Sequence, residues 1–339
     1  MLKLGVIGCG YWGPNLIRNF NGLPDVELAI ICDLDEARLN HVGLLYPNTK
    51  KTQDYREILQ DPEIEGVVVA TTMSTHFPIG KEVLEAGKHL FLEKPMATNS
   101  EDCRVLNALA ESKGLQIMVG HTFVFTPAVR KIKQVIDDGE LGDIYYVNIS
   151  RVNLGIFQKD ANVVWDLAPH DVAMLNYLFQ SEPVSVSAYG HCYVQKEKGI
   201  EDVAFVTLEY PGGRLAHIHV SWLDPNKIRM CTFVGSRKML VYDDIHPTEK
   251  IKIFDKGVDV QPHYDNFGEF QLLYRSGDIH APKIDTVEPL KAETAHFRDV
   301  ILGKEESLSS GAHGLKVVQV LEKACQSIKD SGMPIPLEY

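Results

Sequence analysis

The sequence predicts two successive architectures: a doubly wound parallel α/β sheet at the N-terminus, then an open, mostly antiparallel α+β sheet covered by helices on one face. Three observations predict this. Up to about residue 120, short and fully apolar runs alternate with helical patterns, the signature of parallel strands covered on both sides. From residue 144 the period changes to strict apolar-polar alternation, as in Ile144-Tyr145-Tyr146-Val147-Asn148-Ile149, which marks a sheet with one open face. A length of 339 residues is enough for about two domains.

The apolar runs 4–7, 26–32, 67–71, 89–92 and 116–119 read as the parallel strands. Between them the spacing predicts helices over 14–20, 35–45, 78–86 and 100–113, with Asp35 as an N-cap and Gly87 and Gly114 as C-caps. A bridging helix over 127–138 leads into alternating strands at 144–149, 203–210 and 215–222. Pro211-Gly212-Gly213 joins the last two as a hairpin, and Gly235-Ser236 joins strands around Thr232 and Leu240. One helix, 166–179, interrupts the strands, and helices over 292–302 and 315–329 close the chain. The domains are accordingly 1–121 and 122–339, with the C-terminal helices candidates for packing back toward the first.

Composition narrows the function classes. Apolar residues are 45% and charged residues 24%, as in ordinary globular proteins, and the formal charge of −12 disfavours nucleic-acid backbones and anionic membranes as partners. No segment approaches the ~18 uninterrupted apolar residues of a membrane span. Cys9, Cys32, Cys103, Cys192, Cys231 and Cys325 are scattered without metal-ligand or disulfide-framework spacing. The start of the chain lacks the pattern of a secretory leader, so a cytoplasmic protein with reduced thiols is expected.

Gly8-Cys9-Gly10-Tyr11-Trp12-Gly13 is G-x-G-x-x-G placed between a strand and a helix, where backbone N–H groups and a helix start can hold a pyrophosphate. The next strand ends in Asp33, twenty residues past Gly13, positioned to accept from the ribose hydroxyls and to repel a 2′-phosphate. NAD is therefore the expected cofactor and NADP the weaker candidate. Arg38 could meet a phosphate, but it reads better as a solvated helix-face residue. Tyr11 and Trp12 are candidates for walling the nicotinamide end.

Thr71-Thr72-Met73-Ser74-Thr75-His76 and Glu93-Lys94-Pro95 stand at carboxyl ends of strands, where open α/β sheets bind ligands. With the glycine loop, Asp33 and the later Asp166-Leu167-Ala168-Pro169-His170, they make the chain resemble the glucose-fructose oxidoreductase, inositol dehydrogenase and MocA family over nearly its whole length. The resemblance implies a Rossmann domain whose cofactor contacts are Gly8, Gly10, Tyr11, Trp12, Gly13, Asp33, Thr71, Thr72, His76, Glu93 and Lys94. It also implies a cis Lys94–Pro95 peptide and a lysine touching both nicotinamide and the reacting oxygen. The chain departs from the family at Thr72 and Met73, where Pro and Asn are common; His76 matches the family's histidine.

An ammonium at Lys94 can stabilise a developing alkoxide. Asp166 and His170 are four apart and share a helix face. Pro169 belongs in a first helical turn, which makes Asp166 the expected N-cap and sets His170 near a positive helix end that disfavours imidazolium. His170 is then a base for a substrate hydroxyl, with Asp166 orienting it. Arg151 and Asn153, alternating along the strand before this helix, are candidate substrate contacts. His217-Ile218-His219 puts two imidazoles on one strand face, but no third ligand is evident, so no metal is expected.

The reading is an NAD-dependent oxidoreductase moving a hydride between the nicotinamide and a secondary hydroxyl or ketone of a sugar. The resemblance of the runs 164–171 and 221–225 points to a nucleotide-linked hexose, reacting at C3, in surface-polysaccharide or amino-sugar synthesis. The alternatives are a free polyol or inositol dehydrogenase and, from another class, a non-catalytic NAD-binding regulator. The resemblance further implies a homodimer or homotetramer packed through the C-terminal sheet.

Overall fold

The computed structural model describes residues 1–259 and 273–339. The chain divides into two compact units, Met1–Thr126 with Val287–Glu322, and Pro127–Thr286 with Lys323–Tyr339. Much of the C-terminal helical segment, residues 287–322, belongs to the first unit.

In the first unit, β1 (Leu2–Ile7), β2 (Val26–Cys32), β3 (Lys50–Thr52), β4 (Gly66–Val69), β5 (His89–Glu93) and β6 (Ile117–Gly120) form a parallel sheet in the order β3-β2-β1-β4-β5-β6. Leu4, Val6, Val67, Val68, Leu90, Phe91 and Leu92 are all buried, which explains why these strands read as unbroken apolar runs. Between the strands run α1 (Gly13–Asn21), α2 (Glu36–Leu45), α3 (Arg56–Gln60), α4 (Met73–Glu85) and α5 (Ser100–Lys113). β3 and α3, three and five residues long, are too short to show a period in the sequence.

The ends of α5 fall where the sequence puts them. Asn99 accepts from the Asp102 N–H at 2.8 Å, and Gly114 closes the helix at φ +65°. α4 differs: it begins at Met73, five residues before the Pro78 expected to open it. Proline in the sixth position removes one intrahelical bond, to the Ser74 carbonyl, while the first four N–H groups of any helix lack such partners anyway.

The later part of the chain completes the first core. α8 (Pro289–Ile301) sends Phe297 against Phe20 and Phe91, the three rings meeting edge to face at 5.5–6.0 Å. Removing such a ring costs about 3–5 kcal/mol. At the sheet edge, the Val119 N–H of β6 donates to the Ser309 carbonyl at 2.8 Å, so the edge strand is partly covered.

The second unit is built on α6 (Pro127–Asp137), β7 (Ile144–Val152), α7 (Val163–Phe179), β8 (Ser185–His191), β9 (Val203–Tyr210), β10 (Arg214–Ser221), β11 (Ile228–Gly235), β12 (Met239–Asp243), β13 (Ile251–Asp259), β14 (Leu273–His280) and the short β15 (Ile335–Pro336). The final helix α9 (Gly311–Lys329) carries residues of both units. The strands form one sheet in the order β14-β13-β12-β11-β7-β10-β9-β8-β15, with β7 and β10 parallel and the remaining pairs antiparallel. Alternation fixes the faces: Val147, Ile149, Val206, Leu208, Ile218 and Val220 are buried, whereas Asn148, Phe205, Leu215 and His217 are exposed.

Candidate active site

The three loop glycines are required for different reasons. Gly8 has φ +105°, and a Cβ there would stand 2.5 Å from the Ala70 carbonyl oxygen; one on Gly13 would stand 2.0 Å from that of Gly8. Those two answer the chain's own packing. A Cβ on Gly10 would meet only Arg38 Nη1 at 3.7 Å, so the bare backbone there leaves room for something approaching from outside. No side chain caps α1 immediately after the loop, and its positive end faces the loop. These features fit the pyrophosphate of a dinucleotide.

Asp33 ties the site together. Its Oδ2 accepts from the Cys9 N–H at 2.6 Å and its Oδ1 from the Asp35 N–H at 2.8 Å, which locks the end of β2 to the glycine loop. Asp35 caps α2 as expected, accepting from the Ala37 and Arg38 N–H groups. A depression of about 400 Å³ beside the loop is lined by Cys9, Gly10, Tyr11, Pro14, Arg38 and His41, a size suited to an adenosine. Arg38 is exposed on the face of α2, as expected, where it pairs with Asp35 at 3.3 Å and lines this depression. Burial pushes the thiols of Cys9 and Cys32 up to about 12, so neither is a nucleophile here.

The Lys94 corner is rigid. The Lys94–Pro95 peptide is cis, and the Pro95 carbonyl lies 2.8 Å from His76 Nδ1, whose Nε2 faces the Thr71 carbonyl at 3.3 Å. His76 is 1% exposed, and burial lowers its pKa. The structure therefore gives this histidine the work of a strut under the lysine loop: its neutral ring has a single N–H, which it donates to one of these two carbonyls. Thr71 and Thr75 share a hydroxyl hydrogen bond at 2.7 Å, Thr72 is exposed, and in the glycine loop Tyr11 is open to solvent with Trp12 partly so. Glu93 is turned inward: its carboxyl packs against Gly120, whose Cβ would stand 3.2 Å from it, and accepts from the Lys94 N–H at 3.2 Å and from the Trp12 side chain.

Sequence reasoning missed a second buried acid beneath this corner. Glu293 of α8 is fully buried and accepts from the Thr122 hydroxyl at 2.8 Å. The signal was present, since Leu290, Glu293, Thr294 and Phe297 are spaced as one helix face, and a glutamate on a core-facing stripe calls for an explanation. His121 is buried beside the His313 ring at 5.5 Å.

In the second unit, α7 begins at Val163 and is capped by Asn162, whose side chain accepts from the Trp165 N–H at 3.1 Å. This corrects the expectation that Asp166 is the N-cap. Asp166 lies in the first turn and accepts from Trp222 Nε1 at 2.9 Å, a partner the sequence did not reveal. Pro169 sits in the helix interior, and His170 is the eighth residue. The helix-end argument for a neutral imidazole therefore falls, because the dipole acts within about the first turn. The i, i+4 relation of Asp166 and His170 stands, one above the other on one face.

Arg151, expected to meet substrate, is instead an internal strut. Its Nε and Nη2 reach Asp171 at 2.6–3.1 Å, with both side chains buried, so that β7 grips α7 at the residue after His170. Alternation held the clue: Arg151 continues the buried series Val147, Ile149. Asn153 is partly exposed beyond the strand, its side chain beside Gly155. His217 bonds Thr207 and His219 stacks on Phe205 at 4.4 Å; among the described residues no group of three or more potential ligands could hold a metal.

Comparison with known proteins bears on this geometry. Residues 2–121 match the family model described as oxidoreductase family, NAD-binding Rossmann fold, and residues 129–241 match the GFO/IDH/MocA C-terminal domain. An uncharacterized oxidoreductase of Bacillus subtilis (strain 168) is 26% identical, covering 99% of this chain and 96% of its own. The scyllo-inositol 2-dehydrogenase (NAD(+)) of the same organism is 27% identical over 66% of this chain and 68% of its own. The structure of UDP-N-acetylglucosamine 3-dehydrogenase from Acidithiobacillus ferrooxidans shares the fold, with TM-score 0.79 and 22% identity over 97% of this chain and 98% of that one. The chain is thus a member of the glucose-fructose oxidoreductase, inositol dehydrogenase and MocA family of NAD-binding oxidoreductases.

Proposed function

We propose that this oxidoreductase interconverts a secondary hydroxyl and a ketone on a nucleotide-linked hexose, at C3, in the synthesis of surface polysaccharides or amino sugars. The observation that carries the reading is the locked Glu93-Lys94-Pro95 corner at the carboxyl end of β5, in a parallel sheet whose glycine loop is shaped for a dinucleotide. NAD, when bound, accepts or returns the hydride. Lys94 supplies an ammonium to the reacting oxygen, His170 takes or returns the hydroxyl proton, and Asp166 orients the imidazole from one turn below. Asn153 is the remaining candidate for a substrate contact. Preference for NAD over NADP rests on Asp33, while Arg38 in the adenosine depression pulls the other way.

The choice of sugar rests on likeness of fold to the UDP-N-acetylglucosamine enzyme and on the sequence around Asp166 and Trp222. The match to an inositol dehydrogenase over two thirds of the chain favours a second reading, a free polyol as substrate. A regulator that binds NAD without chemistry would have no use for Lys94, Asp166 and His170 together. We further propose a homodimer or homotetramer that covers the open sheet face, where Tyr146, Phe205, Leu215 and Met230 are exposed, and a cytosolic location, where six free cysteines stay reduced.

The test is a screen of UDP- and dTDP-hexoses, free hexoses and inositols with NAD, following absorbance of the reduced nicotinamide. Turnover on a nucleotide sugar is expected. A preference for inositol installs the second reading, and cofactor binding without turnover on any sugar installs the regulator.

A further inference from the structure

Two buried carboxyls, Glu93 next to Lys94 and Glu293 near Glu93, have no part in the chemistry assigned above, although a buried carboxyl is costly to ionise unless something charged stands near it. Glu93 and Glu293 come from distant parts of the chain, β5 and α8, and each has one carboxyl oxygen, Oε1, buried without a hydrogen-bond partner. Their other oxygens are held, by the Lys94 N–H and the Trp12 side chain in one case and by the Thr122 hydroxyl in the other. Gly120 is the third element of the arrangement: any side chain there would press on the Glu93 carboxyl, so β6 is left bare to admit it.

The groups facing this pocket can be named. Lys94 contributes the positive charge felt by Glu93, His121 and His76. Burial lowers the pKa of both of those histidines, well below the ordinary range for His121, so both rings are neutral at pH 7. Neither ring nitrogen of His121 has a hydrogen-bond partner, and the His313 ring lies against it. Burial, with the charge of Glu93 adding to it, drives Glu293 well above the usual carboxylate range, so it is the harder of the two acids to ionise. Glu93, opposed by Lys94, is raised by burial only to about 7, which leaves it close to balance between its two states at neutral pH.

We propose that Glu93, backed by Glu293, is a charge-compensating group for the oxidised nicotinamide: it ionises when the positively charged ring is bound and takes up a proton again when the ring becomes neutral. This rests on the proposed placement of the ring beside Lys94. The oxidised ring would bring a second positive charge to the side of Lys94, and a buried carboxyl that can ionise there offsets one of them. Whatever fraction of a proton leaves Glu93 when the oxidised cofactor binds returns when the ring is reduced, so the overall reaction still releases a single proton from the substrate hydroxyl.

The sign follows from linkage. If the bound ring lowers the pKa of Glu93, binding prefers the ionised carboxylate, and affinity rises with pH up to the value in the free protein, about 7, and is level above it. The limit for one linked proton is about tenfold per pH unit. We expect the Kd for NAD+, measured by titration calorimetry between pH 5.5 and 8.5, to fall roughly three- to tenfold up to pH 7 and then hold. NADH, with its neutral ring, and ADP-ribose, which has the same adenosine and pyrophosphate but no ring, should show no such slope. Glu93→Gln should abolish the NAD+ slope, and Glu293→Gln, which copies a protonated acid, should keep it. An equal slope for ADP-ribose, a flat NAD+ profile, or a slope surviving Glu93→Gln overturns the proposal. If Glu93→Gln does not fold, the wild-type comparison of NAD+ with ADP-ribose decides alone. Failure to bind any of the three ligands would instead count against the cofactor site itself.

Discussion

The two units hold their functional side chains in opposite ways. In the first, nearly every constraint on the site is local: glycines that nothing else can replace, a carboxylate bonded to backbone N–H groups, and a histidine wedged under the peptide next to the lysine. In the second, the candidate base sits in the middle of a helix fixed from afar, by Trp222 on Asp166 and by Arg151 on Asp171. Backbone-built sites leave a spacing signature in the sequence. A helix held by distant side chains leaves residues whose partners cannot be guessed from their neighbours.

The largest expected effect separates chemistry from scaffolding within that contrast. Lys94→Ala and His170→Ala should each lower kcat by about 10²- to 10⁴-fold, the range for a lost acid–base or electrostatic partner. His170→Ala should leave the Kd for NAD within a few-fold, because its proposed work is proton transfer. Steady-state kinetics with parallel binding measurements check both, and full turnover in either variant removes that residue from the mechanism.

The next effect tests whether the second unit is held as described. Arg151→Met leaves Asp171 buried without its partner and should cost about 3–5 kcal/mol of stability, while Arg151→Met with Asp171→Leu should recover much of it. Urea unfolding of the three proteins is the measurement. Were Arg151 a substrate contact after all, the single variant would raise KM with little change in the unfolding midpoint.

These variants also show what the sequence disclosed. Gly8, Gly10, Gly13, Asp33 and the Glu93-Lys94-Pro95 corner stood out because their spacing relative to strand ends is dictated by backbone geometry. Arg151 was legible as a buried position from alternation, yet Asp171 as its partner was not, because the pair joins a strand to a helix twenty residues later. Glu293 lay two hundred residues beyond Glu93 and gave only a polar residue on an apolar stripe. The α7 start was misplaced because Pro169 was weighed as a helix opener while Asn162, three residues ahead of the Trp165 N–H it accepts from, was passed over.

A smaller effect returns to the first unit. Asp33→Ser removes the charge that opposes a 2′-phosphate and should improve the ratio of NADP to NAD use by about tenfold, a single charged hydrogen bond's worth of discrimination. Arg38, lining the same depression, is positioned to add to the gain. Because Asp33 also accepts from the Cys9 and Asp35 N–H groups, the variant should lose about 1–2 kcal/mol of stability as well. An unchanged cofactor ratio in a folded variant would place the discrimination elsewhere.

The smallest effect bears most directly on how α7 carries its base. Asn99 and Asn162 cap helices in the two units by the same bond, each accepting from the N–H three residues on, so each should cost about 1 kcal/mol on replacement by alanine. Beyond that the two variants should diverge. Asn99→Ala should leave kinetics untouched, since α5 carries no proposed catalytic group. Asn162→Ala frays the turn that contains Asp166, and by loosening the residue that orients His170 it should lower kcat several-fold while KM for cofactor stays put. Asp166→Ala should differ from a cap mutation: a larger loss of kcat, with a stability cost that includes the lost bond from Trp222. If Asp166→Ala instead destabilised like a missing cap and Asn162→Ala were silent, the helix in solution would start where the proline suggested, and His170 would regain its place near a positive helix end.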